Sequence, residues 1–131
     1  MYGCLYKPDT GEVLMTVDAP QKADIELQLQ VYPDASIVFK KVDAATQYIE
    51  AEEPKDRPLM NLQYEDHEID VSEVLRVEGI PTGTTLYYPG GQVQVDDGYI
   101  EWSSIEEGSF YFRFINFPYM EAEINAIVRR A

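Results

Sequence analysis

Short apolar runs separated by glycine- or proline-bearing turns recur through the second half of this chain, and few architectures tolerate that rhythm. Residues Ile69 to Val77, Thr84 to Tyr88, Gln92 to Val95, Tyr99 to Trp102, Ser109 to Ile115 and Glu123 to Val128 read as strands. Between them lie Ile80-Pro81-Thr82-Gly83, Pro89-Gly90-Gly91, Asp96-Asp97-Gly98 and Glu106-Glu107-Gly108, each with a glycine able to take positive φ. Strands at this spacing predict a small antiparallel β-sandwich. The Asp97-Gly98 pair, flanked by Gln92 to Val95 and Tyr99 to Trp102, predicts a hairpin joining those two runs.

The strand Ser109 to Ile115 places Phe110, Phe112 and Phe114 on one face and Tyr111, Arg113 and Ile115 on the other. Burying each such ring is worth roughly 1.5–3 kcal/mol against a net stability of about 5–15 kcal/mol, so one strand can anchor a domain. Val71, Val77, Leu86, Val93, Val95, Ile100, Trp102 and Ile124 complete the predicted core.

In the first half, Ile25 to Val31 alternates strictly and predicts a strand with Ile25, Leu27, Leu29 and Val31 on one face. Glu12 to Val17, Ile37 to Val42 and Gln47 to Glu50 predict its companions, and Asp43 to Gln47 allows at most one helical turn. The two prolines of Glu52-Glu53-Pro54-Lys55-Asp56-Arg57-Pro58 interrupt any helix or central strand and predict a linker or a long crossing loop. The expected organisation is all-β with short antiparallel strands, a β-sheet unit over 1–58 and a β-sandwich over 59–131.

Composition excludes several function classes. Ten basic against 24 acidic residues give a formal charge of -14, which repels nucleic-acid backbones and anionic lipid. Both halves are acidic: positions 1–60 hold 6 basic and 11 acidic residues (-5), positions 61–131 hold 4 and 13 (-9). No apolar run approaches the ~20 residues of a membrane span, and the start lacks a signal-peptide layout, so neither nucleic acid nor membrane is an expected partner. A single Cys4 and a single His67 remove disulfides, multi-cysteine zinc sites and most triads.

The candidate chemistry is sparse. Asp96, Asp97 and Glu101, with Glu106 and Glu107 nearby, could offer oxygen ligands to Ca²⁺, but the spacing is not that of a calcium loop and a solvated turn is the plainer account. The same acids do not suit glycoside hydrolysis, which needs carboxylates held across a cleft. His67 is flanked by Asp66 and Glu68; as an acid–base residue it lacks a nucleophile motif beside it. Cys4 reads as a small apolar residue packed under the first strand. The glycines of Thr82-Gly83-Thr84 and Pro89-Gly90-Gly91 are turn glycines, since no Lys-Ser/Thr follows. No catalytic residue, metal or cofactor is expected. Ten tyrosines, by contrast, suit contact surfaces. Tyr87-Tyr88 cannot both turn inward on one strand. Tyr87, Tyr88, Trp102, Tyr111 and Tyr119 are the interface candidates.

The layout Gly79-Ile80-Pro81-Thr82-Gly83-Thr84, Asp97-Gly98-Tyr99-Ile100-Glu101-Trp102, Glu107-Gly108-Ser109-Phe110-Tyr111-Phe112 and Phe117-Pro118-Tyr119-Met120-Glu121-Ala122-Glu123-Ile124 resembles small immunoglobulin-like proteins encoded among the tail genes of long-tailed bacteriophages. Tyr32-Pro33 and Arg57-Pro58 extend the likeness upstream. Gly108-Ser109-Phe110 also resembles the tyrosine corner of immunoglobulin sandwiches, with Phe where that corner has Tyr and Tyr111 as a neighbour able to make a different bond. The resemblance implies an immunoglobulin-like fold for 59–131 and a non-enzymatic virion part of the tail tip, baseplate or tail fibre, made in the host cytoplasm. Its partners would be other tail or virion proteins and further copies of itself in a symmetric assembly. A capsid decoration protein, a tail assembly factor and a carbohydrate-binding module using Trp102, Tyr87 or Tyr88 are the alternatives.

Overall fold

The computed structural model describes residues 1–130 and is all-β apart from one short helical segment. Contacts divide the chain into two units, Met1–Pro58 and a second beginning at Leu59. No helix among the described residues is long and apolar enough to cross a membrane.

In the first unit β1 (Tyr2–Tyr6) lies between β2 (Val13–Asp18) and β3 (Ser36–Val38), antiparallel to both. Gly3, Cys4, Leu5 and Tyr6 are all buried, as expected of a central strand covered on both faces. Cys4 and Tyr6 join Val38, Val42 and Ile49 in one cluster. On the opposite face of β1, Ile25 packs over Gly3, where a Cβ would come within 2.5 Å of the Ile25 side chain.

Ile25 belongs to a helix, not to the strand its alternation predicts. α1 (Lys22–Glu26) continues into a 3-10 turn over Leu27–Gln30, and of the four alternating apolar residues only Ile25 is buried; Leu27 and Val31 are 56% and 67% exposed. Lys, Ala, Glu, Leu and Gln dominate residues 22–30, and their helix propensity prevails over a period-two pattern that has no second sheet to cover. The proline-bearing run 52–58 is likewise no linker through its length. β4 (Gln47–Glu50) and β5 (Glu53–Asp56) form a hairpin whose turn residues Ala51 and Glu52 both take positive φ, the conformation a two-residue turn requires. Pro54 is tolerated because the pair has no third strand for its missing N–H to serve. β3 covers only the first part of the run Ile37 to Val42, and Asp43–Gln47 makes a single turn closed on the Asp43 carbonyl.

The second unit contains a five-stranded sheet in the order β6 (Glu68–Asp70), β12 (Ala122–Arg129), β11 (Gly108–Ile115), β8 (Thr84–Tyr88), β9 (Gly91–Val95). β6 runs parallel to β12, and the other neighbours are antiparallel. A separate ladder joins β7 (Leu75–Glu78) to β10 (Tyr99–Trp102). Both sheets send side chains into one core: Leu75 and Val77 from the ladder, Leu86, Val95, Phe112, Phe114, Ile124, Ala126 and Val128 from the larger sheet. Phe112 and Phe114 are 2% and 0% exposed.

Two expectations for this unit change. The run Ile69 to Val77 breaks into β6 and β7, because Ser72 takes positive φ and the Glu73 N–H closes a turn on the Asp70 carbonyl. The Asp97-Gly98 turn does not form a hairpin. It carries the chain from β9 in one sheet to β10 in the other, while the tight hairpin of this region is at Pro89-Gly90, between β8 and β9. Cross-strand pairs decide this pairing. Ile100 faces Val77 and Trp102 faces Leu75 on the core side, and on the other side Arg76 donates to Glu101 and Glu78 and stacks on Tyr99 at 4.2 Å.

Val93, predicted to be core, is 47% exposed. It shares the core side with its partner Leu86, but β9 is the outermost strand and no second layer covers it there. Phe114→Ala should therefore lower the unfolding free energy of this unit by ~3–5 kcal/mol, and Val93→Ala by under ~1 kcal/mol, as read by urea titration.

Candidate interaction surface

Alternation along β11 puts Phe112 and Phe114 into the core and so fixes Tyr111 and Arg113 on the outer face of the five-stranded sheet. Register brings neighbours to them: Arg113 lies opposite Tyr87 of β8 on one side and Glu123 of β12 on the other, and Tyr111 lies opposite Asn125. Tyr87 and Tyr111 are 41% and 48% exposed. Arg113 is held by Glu121 through Nε and Nη2 at 2.8–3.2 Å, and that bidentate pair raises the guanidinium pKa further. A hydrogen bond to Glu123 holds the Tyr111 phenol above its ordinary value. Two exposed rings thus flank a cation that is oriented before any partner arrives.

Of the five aromatic candidates, this face unites Tyr87 and Tyr111. Tyr88 is also exposed, at 38%, but turns to the opposite side of β8, where its ring lies over Gly91. Trp102 is half-buried and packs on Phe110 and Phe112 with ring centroids 5.0 Å away in both cases. Tyr119, whose N–H donates to the Asn116 carbonyl, is half-buried against the same core. Trp102 and Tyr119 both lie partly buried against the core. The sequence reads Trp102 both as core and as a contact candidate; Tyr119 stands in a turn, where alternation gives no face. Arg113, Glu121 and Glu123 were not singled out from the sequence; Glu123 comes to Arg113 through the pairing of β11 with β12, and Glu121 from the turn just before β12.

The acids of the β9–β10 turn do not converge. Asp96 accepts from Gln94 at 3.0 Å, Glu101 accepts from Arg76 at 2.8 Å, and Glu107 lies 3.4 Å from Arg130. Among the described residues no group of three or more His, Cys, Asp or Glu side chains is placed to hold a metal ion, so Asp96, Asp97 and Glu101 do not form the calcium site considered from the sequence. His67 is exposed, with Nδ1 3.6 Å from Asp66 and Nε2 4.0 Å from Glu68.

An open groove of about 520 Å³ in the second unit is lined by Tyr64, Glu65, Asp66, Glu73, Val74 and Glu78 among others. Its one cation, Arg76, is already engaged by Glu78 and Glu101. Its walls carry carboxylates without a nucleophile. No protein-family model, no curated protein and no solved structure matches the chain.

Cys4 is fully buried, its Sγ 3.8 Å from the Leu5 carbonyl, and burial pushes its thiol from 9.0 to about 11. The folded state holds that proton more tightly than the unfolded state, so the stability it contributes is complete below about pH 9 and is lost as pH rises through about 11. Between those values the wild-type chain should lose ~2–3 kcal/mol more than Cys4→Ala, measured by urea unfolding of the first unit. For the outer face, Glu123→Gln should bring the Tyr111 phenol down toward its ordinary value, read as an earlier rise of tyrosinate absorbance in a spectrophotometric titration against Tyr111→Phe.

Proposed function

We propose that this chain is a non-enzymatic structural protein that assembles through protein contacts, in the tail tip, baseplate or fibre of a long-tailed bacteriophage virion. The observation that carries the assembly role is the Tyr87–Arg113–Tyr111 face: two exposed rings around a guanidinium fixed by Glu121, on a sheet whose other side is a packed core. Tyrosine and arginine are the residue types that dominate contact energies at protein interfaces, and rings held on a strand lose little freedom on binding. A rigid sheet of this kind presents a surface rather than a cleft. Its acidity, -14 overall, suits partners with basic or neutral contact surfaces. The virion placement and the immunoglobulin-like character of the second unit rest on the sequence resemblance.

Quantitative mass spectrometry of purified particles, scaled to the major tube and capsid proteins, tests this reading. A few to about a dozen copies per particle are expected for parts of threefold or sixfold symmetry. Hundreds of copies would indicate head decoration, absence an assembly factor. The Tyr87→Ala, Tyr111→Ala double variant should remain folded by circular dichroism and be incorporated at least about tenfold less, since hot-spot rings commonly cost 2 kcal/mol or more each. Full incorporation of a folded double variant would refute this face as the contact surface.

A further inference from the structure

We infer that β9 is a self-pairing edge, through which two copies of this chain join their five-stranded sheets into one continuous antiparallel sheet. β9 is the outermost strand of that sheet, and Gly91, Gln92, Val93 and Gln94 are all exposed. Its register with β8 runs unbroken from Thr84↔Val95 to Tyr88↔Gly91, so no bulge twists the edge away. Exposed edges are normally guarded by charge, proline or brevity. The other edges follow that rule: β6 carries Glu68 and Asp70, β2 ends in Asp18, β10 carries Glu101, and β3 has three residues. β9 has none of these guards.

Charge selects a second copy as the occupant. Residues 79–95 contain no Asp, Glu, Lys, Arg or His, in a chain where 26% of residues are charged. A basic partner would be drawn to carboxylate-bearing surfaces elsewhere on the molecule. A partner that itself carries -14 can approach only where carboxylates are absent. Strand direction follows from the residues at the ends. Pairing two copies antiparallel about Val93 sets Gln92 against Gln94 of the second copy and Asp96 against its Gly90, so no carboxylate meets another. Parallel pairing would set Asp96 against Asp96. The antiparallel arrangement also buries Val93 against itself and satisfies the free backbone edge with a strand of matching length. Such a contact is two-fold and closes on itself.

The inference rests on the assembly reading only in naming its first partner, and purified protein tests it separately from particle incorporation. Sedimentation velocity of the full chain should show a reversible monomer–dimer equilibrium that strengthens with added salt, because screening relieves the repulsion between the two acidic copies. The Gln92→Glu, Gln94→Glu double variant and the Gln92→Lys, Gln94→Lys double variant, both altered only at exposed positions, should each dimerise at least about tenfold more weakly. Mixing the two should restore a heterodimer. A chain that stays monomeric at high concentration and high salt would overturn the inference. So would a dimer indifferent to both double variants. Neither result would bear on whether the Tyr87 and Tyr111 variants are incorporated into particles.

Discussion

The burial of Phe112 and Phe114 is the interaction on which the second unit depends. They stand on β11, which pairs with both β12 and β8 and so lies inside the five-stranded sheet, and their rings meet residues from the β7–β10 ladder in the same core. Trp102 closes the margin of that core by packing edge-on to Phe112 and tilted against Phe110. The strict alternation that drives these phenylalanines inward also drives Tyr111 and Arg113 outward. Core and contact surface are two consequences of one eight-residue strand.

Electrostatics shape what remains exposed. Most basic side chains are spent on neighbouring acids: Arg113 on Glu121, Arg76 on Glu78 and Glu101, Lys40 on Glu53, Arg129 on Glu68. These exposed pairs contribute little to stability individually. Their effect is to orient specific side chains and to leave the unpaired acids as a field that repels other anions. Against that background the β8–β9 hairpin stands out, since residues 79–95 carry no charged side chain.

The sequence was most legible where one signal dominated. The boundaries of β4, β8 and β10 coincide with the predicted runs, and the inward phenylalanines are where alternation places them. Ile25 to Val31 shows how alternation misleads: period two in a segment rich in Leu, Gln, Glu and Lys describes helix formers that happen to alternate, and nothing local reports that no sheet awaits them. Asp97-Gly98 shows a different limit. Turn chemistry fixes where the chain reverses, but the choice of ladder belongs to β7, whose Arg76, Val77 and Leu75 lie some twenty residues upstream. The surface was legible only in part: Tyr111 faces outward as alternation places it, and Trp102 packs on the core it was predicted to join, whereas Tyr119, in a turn, needed the packing of distant strands to be placed against that core.

Native-state amide hydrogen exchange of the full chain tests the central claim that β11 organises the second unit. Amides of Tyr111 to Phe114 and their partners on β12 should exchange slowest in this unit, through its global unfolding, with β6 and the outer amides of β9 orders of magnitude faster. Exchange from β11 as fast as from β9 would contradict the account, because the strand that carries Phe112 and Phe114 would then not be the one that holds the fold together.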